Sequence, residues 1–302
     1  MLKRLYAVVV LMLFCGAVPA AHAQLGLFSK EQRMDLTRVW KGERFPDGRP
    51  RISDELLERM KKAKCEIAWG IMKDAGYKFQ IEGGWRIINP NDRLVGRVVT
   101  AVFMPIRPDM NDVINDHGKL EGRIGAGQNS WVIDTLQPND VLVVDMFGKI
   151  EDGTFAGDNL ATSIYTKTRT GFVVNGGVRD AGGISEIKGI RVYVRDFHPS
   201  AIADMMLMGI NVPIRIGRVT VMPGDIILSD LEGLTFVPPH MAEKVADESE
   251  MARLTDEWGH EMLRTGKYTP GQVDSKWSKQ MVEEFNRFAE SRGSKVRRKY
   301  EE

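Results

Sequence analysis

Two short segments of this 302-residue chain combine residue types that could act on a small oxyacid. The first, Gly157-Asp158-Asn159-Leu160-Ala161, opens a helix-like stretch. Asp158 is expected at its N-cap, where the plain role is to satisfy free first-turn amides. The same amides, with Gly157 permitting close backbone approach, would alternatively cradle a carboxylate. The second segment follows a strand-like run over 172–175 and reads Gly176-Gly177-Val178-Arg179-Asp180-Ala181-Gly182-Gly183. Arg179 can offset negative charge developing on oxygen, and Asp180 can hold a hard divalent cation that keeps most of its waters. The alternative is a surface ion pair of little energetic value. Twenty residues lie between Asp158 and Arg179, enough for one helix and one strand that bring both turns to the same sheet edge.

A rigid scaffold has to present those turns. Runs rich in Val and Ile at 95–103, 141–146, 172–174, 192–194, 219–221, 226–228 and 234–237 read as strands punctuated by Gly or Pro. Helices are predicted between them at 159–168 and 200–208, and this alternation predicts an α/β domain. In open α/β sheets ligands bind beyond the carboxyl ends of strands, where Arg179 and Asp180 fall. Upstream, a polar stretch over 25–44 and a turn-rich one over 45–50 read as an arm that wraps onto something. An amphipathic helix is expected over 54–73, capped by Ser53, with Asp54 and Glu55 at its positive end. Downstream, charged helices are expected over 241–264 and 276–292, broken at Thr269-Pro270-Gly271. The basic end, 293–302, is expected to fray in solvent rather than to bind.

Composition narrows the class. With 43% hydrophobic and 27% charged residues the chain is a folded globular protein, not a disordered or disulfide-scaffold one. Residues 1–23 read as a secretory leader, with Lys3 and Arg4, an apolar run over 5–18 and the exit Ala21-His22-Ala23; an uncleaved anchor is the alternative. Without it the chain carries 40 basic and 41 acidic residues, so nothing steers it to nucleic acid or an anionic membrane. Cys65 then remains as a lone thiol, expected to be small, buried and inert. His117, His198, His240 and His260 are too scattered for a metal triad, although His198 follows a strand on the presumed ligand side. The glycine-rich loop over 121–131 either lines a pocket or covers a sheet edge.

Taken together, the two segments resemble the RraA-like family, which includes the regulator of ribonuclease E activity and the class II 4-hydroxy-4-methyl-2-oxoglutarate/4-carboxy-4-hydroxy-2-oxoadipate aldolases. Matching stretches include Gln137-Pro138-Asn139-Asp140 with the following strand, Val221-Met222-Pro223-Gly224-Asp225, and Glu232-Gly233-Leu234-Thr235-Phe236-Val237-Pro238. Taken singly each is weak, since Pro223-Gly224-Asp225 suits any tight turn. Arg218 stands where a second glycine is expected after Gly217. The resemblance implies a swivelling β/β/α domain over 65–245; the arm and helix over 24–64 and the helical extension over 246–302 have no match in the family core. It further implies trimers or hexamers with the active site between subunits. By resemblance Asp180 binds Mg²⁺ or Mn²⁺, Arg179 meets the keto oxygen of a small 2-keto acid, the amides of Asp158, Asn159 and Leu160 hold its carboxylate, and Asp158 positions a water. The implied reaction is carbon–carbon cleavage through a pyruvate enolate, as an aldolase or an oxaloacetate decarboxylase. The leader, foreign to the cytoplasmic members of that family, adds the expectation of a secreted or periplasmic protein with no stable membrane association. A non-catalytic oligomeric binding protein on the same fold is the second reading.

Overall fold

The run Val141-Leu142-Val143-Val144 lacks a polar face because its strand is covered on both sides. The computed structural model describes residues 28–125 and 127–301, so the leader expected over 1–23 lies outside the described residues.

Ser29 caps α1 (Lys30–Leu36) in a reciprocal capping box with Gln32. As expected, Ser53 caps the next helix, its hydroxyl accepting from Leu56 N. The single helix expected over 54–73 is instead two, α2 (Asp54–Met60) and α3 (Cys65–Asp74). Distant residues take up the backbone groups at the break: Arg93 donates to the carbonyls of Lys61 and Ala63, and Cys65 N–H donates to Asp230 Oδ2 at 3.0 Å. These tertiary bonds override helical periodicity.

The strands and their connecting helices follow: β1 (Ile81–Glu82), β2 (Arg86–Ile88), β3 (Gly96–Pro105), α4 (Pro108–Leu120), α5 (Gln128–Asp134), β4 (Asp140–Asp145) and α6 (Asp158–Thr168). Next come β5 (Phe172–Val178), α7 (Ala181–Ser185), β6 (Val192–Phe197), β7 (Met205–Ile210), β8 (Ile214–Ile216), β9 (Val219–Val221), β10 (Ile226–Ser229) and β11 (Leu234–Val237). Among the described residues nine strands form one sheet in the order β1-β11-β10-β3-β4-β5-β6-β2, with β7 also on β3. β3 to β6 are parallel, so their carboxyl ends share one edge. Along β4, Leu142 and Val144 face a core under α5, α6 and α7, while Val141 and Val143 face one closed by the β8–β9 hairpin. That hairpin turns at Gly217 (φ +58°) and Arg218, whose N–H donates to Glu82 Oε2 at 3.3 Å.

One expected helix is a strand. Residues 200–204 form an irregular segment and 205–208 begin β7, which pairs antiparallel with the outer half of β3, Leu207 opposite Phe103. β10 occupies only Gly96 and Arg97 of β3, so a long open edge remains and its pairing outweighs the helical preference of Met and Leu. β5 also outruns its expected end at Asn175 and reaches Val178. Its two glycines allow this, because the preceding loop passes over them: a Cβ at Gly176 would lie 3.0 Å from Lys149 O, and one at Gly177 3.1 Å from Ile150 O.

The arm lies against the sheet. Buried Arg33 donates to Asn211 O at 2.7 Å, and buried Arg49 pairs with buried Asp140 at 3.3 Å. α8 (Ala242–Arg264) packs on α2 and α3, and with α9 (Pro270–Val273) and α10 (Lys279–Ser291) it encloses a separate cluster around Trp258, Trp277 and Phe285. Thr269 does not simply break the helices; it caps α9. The basic end is held rather than frayed: Arg298 N–H donates to Asn286 Oδ1 at 2.8 Å, and its guanidinium stacks 3.9 Å from the Trp277 ring centre. Cys65 is a free, buried thiol, and burial raises its pKa, as expected of an inert residue.

Candidate active site

α6 begins one residue before the position expected from the sequence. Gly157 is the N-cap and Asp158 the first helical residue, so Asp158 does not cap the helix. Its carboxylate instead accepts from Asn159 N–H at 2.7 Å and leans on Gly183 of α7, where a Cβ would sit 2.9 Å from Asp158 Oδ2. The amides of Asp158 and Leu160 belong to the first turn, which an α-helix leaves without internal partners. They border a small cleft of about 90 Å³ that Gly157, Asp158, Asn159, Leu160 and Arg179 all line.

Arg179 and Asp180 follow β5 directly. Arg179 N–H donates to Ala156 O at 3.1 Å, fixing the loop before α6 against the end of the strand. Asp180 adopts left-handed backbone (φ 53°), which a short polar side chain tolerates, and turns the chain into α7. Arg179 Nε stands 3.4 Å from Asp180 Oδ2, and the two side chains are 45% and 48% exposed, so the pair adds little to stability and remains open to a ligand. Both side chains cross Gly157: a Cβ there would lie 2.5 Å from Asp180 Oδ2 and 3.0 Å from Arg179 Nε. The crossover of one helix and one strand thus brings Asp158, Arg179 and Asp180 together at Gly157; Asp158 and Arg179 line the cleft, while Asp180 meets Gly157 without being part of the lining.

Other residues complete the cleft. Buried Asn129 of α5 lines it and donates from Nδ2 to Phe155 O at 2.7 Å; the sequence held a signal for it, a polar Gln128-Asn129 pair entering the apolar run Trp131-Val132-Ile133. The glycine-rich loop therefore reaches the cleft through Asn129, while Gln128 Oε1 accepts from Leu207 N–H of β7 at 2.6 Å. Ala201 and Ile202 come from the segment expected to be helical and had no recognisable signal. His198 lies at the same sheet end but not in the cleft lining. Its Nδ1 pairs with Ser200 Oγ at 2.9 Å, and Ser200 binds both Asp152 N–H (2.7 Å) and the Thr154 hydroxyl, bracing the cleft loop.

Among the described residues no group of three or more His, Cys, Asp or Glu could hold a metal ion by itself. The donor set at Asp180 is one half-exposed carboxylate with Asp158 nearby. That suits Mg²⁺ or Mn²⁺, which take one or two protein oxygens and complete their shell with water and substrate.

The pattern of the RraA-like family, described as Aldolase/RraA, matches residues 50–236. The chain is 30% identical over 152 residues to a Halalkalibacterium halodurans protein provisionally named as a 4-hydroxy-4-methyl-2-oxoglutarate aldolase, covering 48% of this chain and 71% of that one. A solved Streptomyces coelicolor protein, RraAS2, described as an unusual member of the RNase ES inhibitor RraA family, superposes with a TM-score of 0.59 at 24% identity, over 70% of this chain and 98% of its own. An uncharacterised protein of Pseudomonas syringae superposes with a TM-score of 0.60 at 20% identity, over 77% and 98% of the two chains. These two likenesses establish the mixed α/β, swivelling β/β/α architecture. With more than half of its length matched by the family pattern and the fold shared, this chain belongs to the RraA-like family.

Proposed function

We propose that the chain is a secreted, divalent-metal-dependent lyase that cleaves a carbon–carbon bond in a small 2-keto acid, of the 4-hydroxy-4-methyl-2-oxoglutarate aldolase or oxaloacetate decarboxylase type. The observation that carries this reading is the convergence of Asp158, Arg179 and Asp180 around Gly157, beside the first-turn amides of α6. Those amides take the substrate carboxylate, where backbone N–H groups and the helix dipole favour an anion. Arg179 then donates to the keto oxygen. As the carbon–carbon bond breaks, its electron pair moves into the keto acid and the oxygen becomes that of an enolate, so the guanidinium binds more strongly as charge builds. Asp158, held against Gly183, orders a water beside the reacting carbon. A Mg²⁺ or Mn²⁺ ion held by Asp180 would supply Lewis-acid stabilisation of the same oxygen charge.

The half-open cleft is consistent with a site completed by a neighbouring subunit, as in the trimer or hexamer expected from the family. The expected outcome is Mg²⁺-dependent pyruvate release from oxaloacetate or 4-hydroxy-4-methyl-2-oxoglutarate by the purified chain. Asp180→Ala should lower it by about a hundredfold or more while leaving the circular dichroism spectrum intact. A folded wild-type chain that releases no pyruvate and binds no Mg²⁺ would instead support the non-catalytic binding protein.

A further inference from the structure

A second and larger cleft, about 440 Å³, lies at the opposite end of the sheet from the candidate site. Arg191, the residue before β6, lines it, and its carbonyl accepts from Phe172 N–H at 3.2 Å. Arg191 therefore sits at the amino ends of β5 and β6, one strand length, roughly 20 Å, from Arg179. It is 2% exposed, and its Nε and Nη2 are enclosed without a hydrogen-bond partner, so the guanidinium has to turn toward the cleft to meet an acceptor there. Its guanidinium lies 5.1 Å from the centre of the Tyr193 ring, and the Tyr193 hydroxyl donates to Asp230 O at 2.7 Å, so the surface it stacks on is fixed.

The remaining charges in the cleft are mostly committed. Lys64 Nζ pairs with Asp256 at 2.6 Å, and Arg93 donates to the carbonyls of Lys61 and Ala63. The Asp230 carboxylate accepts from the amides of Cys65 (3.0 Å), Glu232 (3.0 Å) and Gly233 (3.3 Å). Glu66 and Glu232 stay exposed along the lining, which disfavours an occupant with several negative charges. A buried guanidinium with orphan donors is unfavourable until an acceptor arrives, and its planar fork matches an oxyanion.

We propose that this cleft binds a small ligand bearing a single oxyanion group, carboxylate or phosphate, on Arg191, independently of the candidate active site. The test is isothermal titration of the full chain, in chelator-containing buffer, with acetate and with inorganic phosphate; the anion that binds identifies the source. Binding is expected to weaken by about tenfold or more in Arg191→Met, which keeps the apolar stem and removes the donors. Arg191→Lys, which keeps a charge in the cleft, should bind with intermediate affinity, and its signal decides the matter if the Met variant fails to fold. Arg179→Ala should bind as wild type. No binding of either anion, equal binding by both Arg191 variants and wild type, or loss in Arg179→Ala instead would overturn the proposal.

Discussion

Gly157 has two roles at the residue level, capping α6 and giving Arg179 and Asp180 room to cross. A methyl group there would meet Asp180 Oδ2 at 2.5 Å, but the obstructing atoms are the ends of flexible side chains. Gly157→Ala is therefore expected to change stability by no more than about 1 kcal/mol while lowering turnover about tenfold or more, read by thermal melting beside a pyruvate assay. Wild-type turnover in that variant would show that the three groups need not converge. Asp225 of the Pro-Gly-Asp turn is a buried carboxyl whose Oδ2 accepts from Met222 N–H at 2.9 Å, and burial pushes its pKa from 3.8 up to about 7. Between about pH 4 and pH 7 the folded chain keeps a proton that the unfolded chain has lost, so this group's contribution to stability falls as pH rises through that window and is level above it. Asp225→Asn should flatten the decline, by about a few kcal/mol in total, in denaturant titrations at pH 4.5 and pH 7.5. An unchanged slope would mean that the carboxyl ionises normally.

Among the elements, the arm is secured by arginines rather than by apolar surface alone. Arg49 is 1% exposed, stacks 4.5 Å from the Phe45 ring centre, and bridges Asp47 (2.8 Å) to the fully buried Asp140 at the start of β4. Arg49→Ala leaves Asp140 without its charge partner and is expected to cost about 3–5 kcal/mol in a denaturant titration. The double variant Arg49→Met with Asp140→Asn should recover most of that loss, because the cost comes from the uncompensated charge. A double variant as unstable as the single one would place the cost in packing. Signals in the sequence located most strands and the long C-terminal helix, since two-sided burial and helical periodicity are local patterns. The 200–208 segment could not be read this way, because only the open edge of β3 makes its second half a strand.

The whole molecule leaves large apolar side chains in solvent on and beside α4, including Leu120 (80% exposed) and Ile124 (83% exposed). Val113 within α4, and Met104 and Ile106 just before it, are exposed as well. Exposed apolar side chains gathered in one stretch of the chain favour an interaction surface, consistent with self-association. Multi-angle light scattering is expected to give three or six times the chain mass, and a monomer would rule out a subunit-shared site. By contrast, the Trp258 and Trp277 cluster satisfies its own apolar surface within the C-terminal extension, so those helices complete a second small core.

The sequence by itself determined the α/β class and the family and nominated Asp158, Arg179 and Asp180, because Val-rich runs, glycine pairs and a twenty-residue spacing are properties of the chain order. Only the tertiary structure decided that Asp158 leaves the cap to Gly157, that Asn129 joins the cleft, and that Arg191 is buried without a partner. Each of these depends on which backbone groups and side chains meet across strands and helices far apart in the chain, and residue order alone does not specify those meetings.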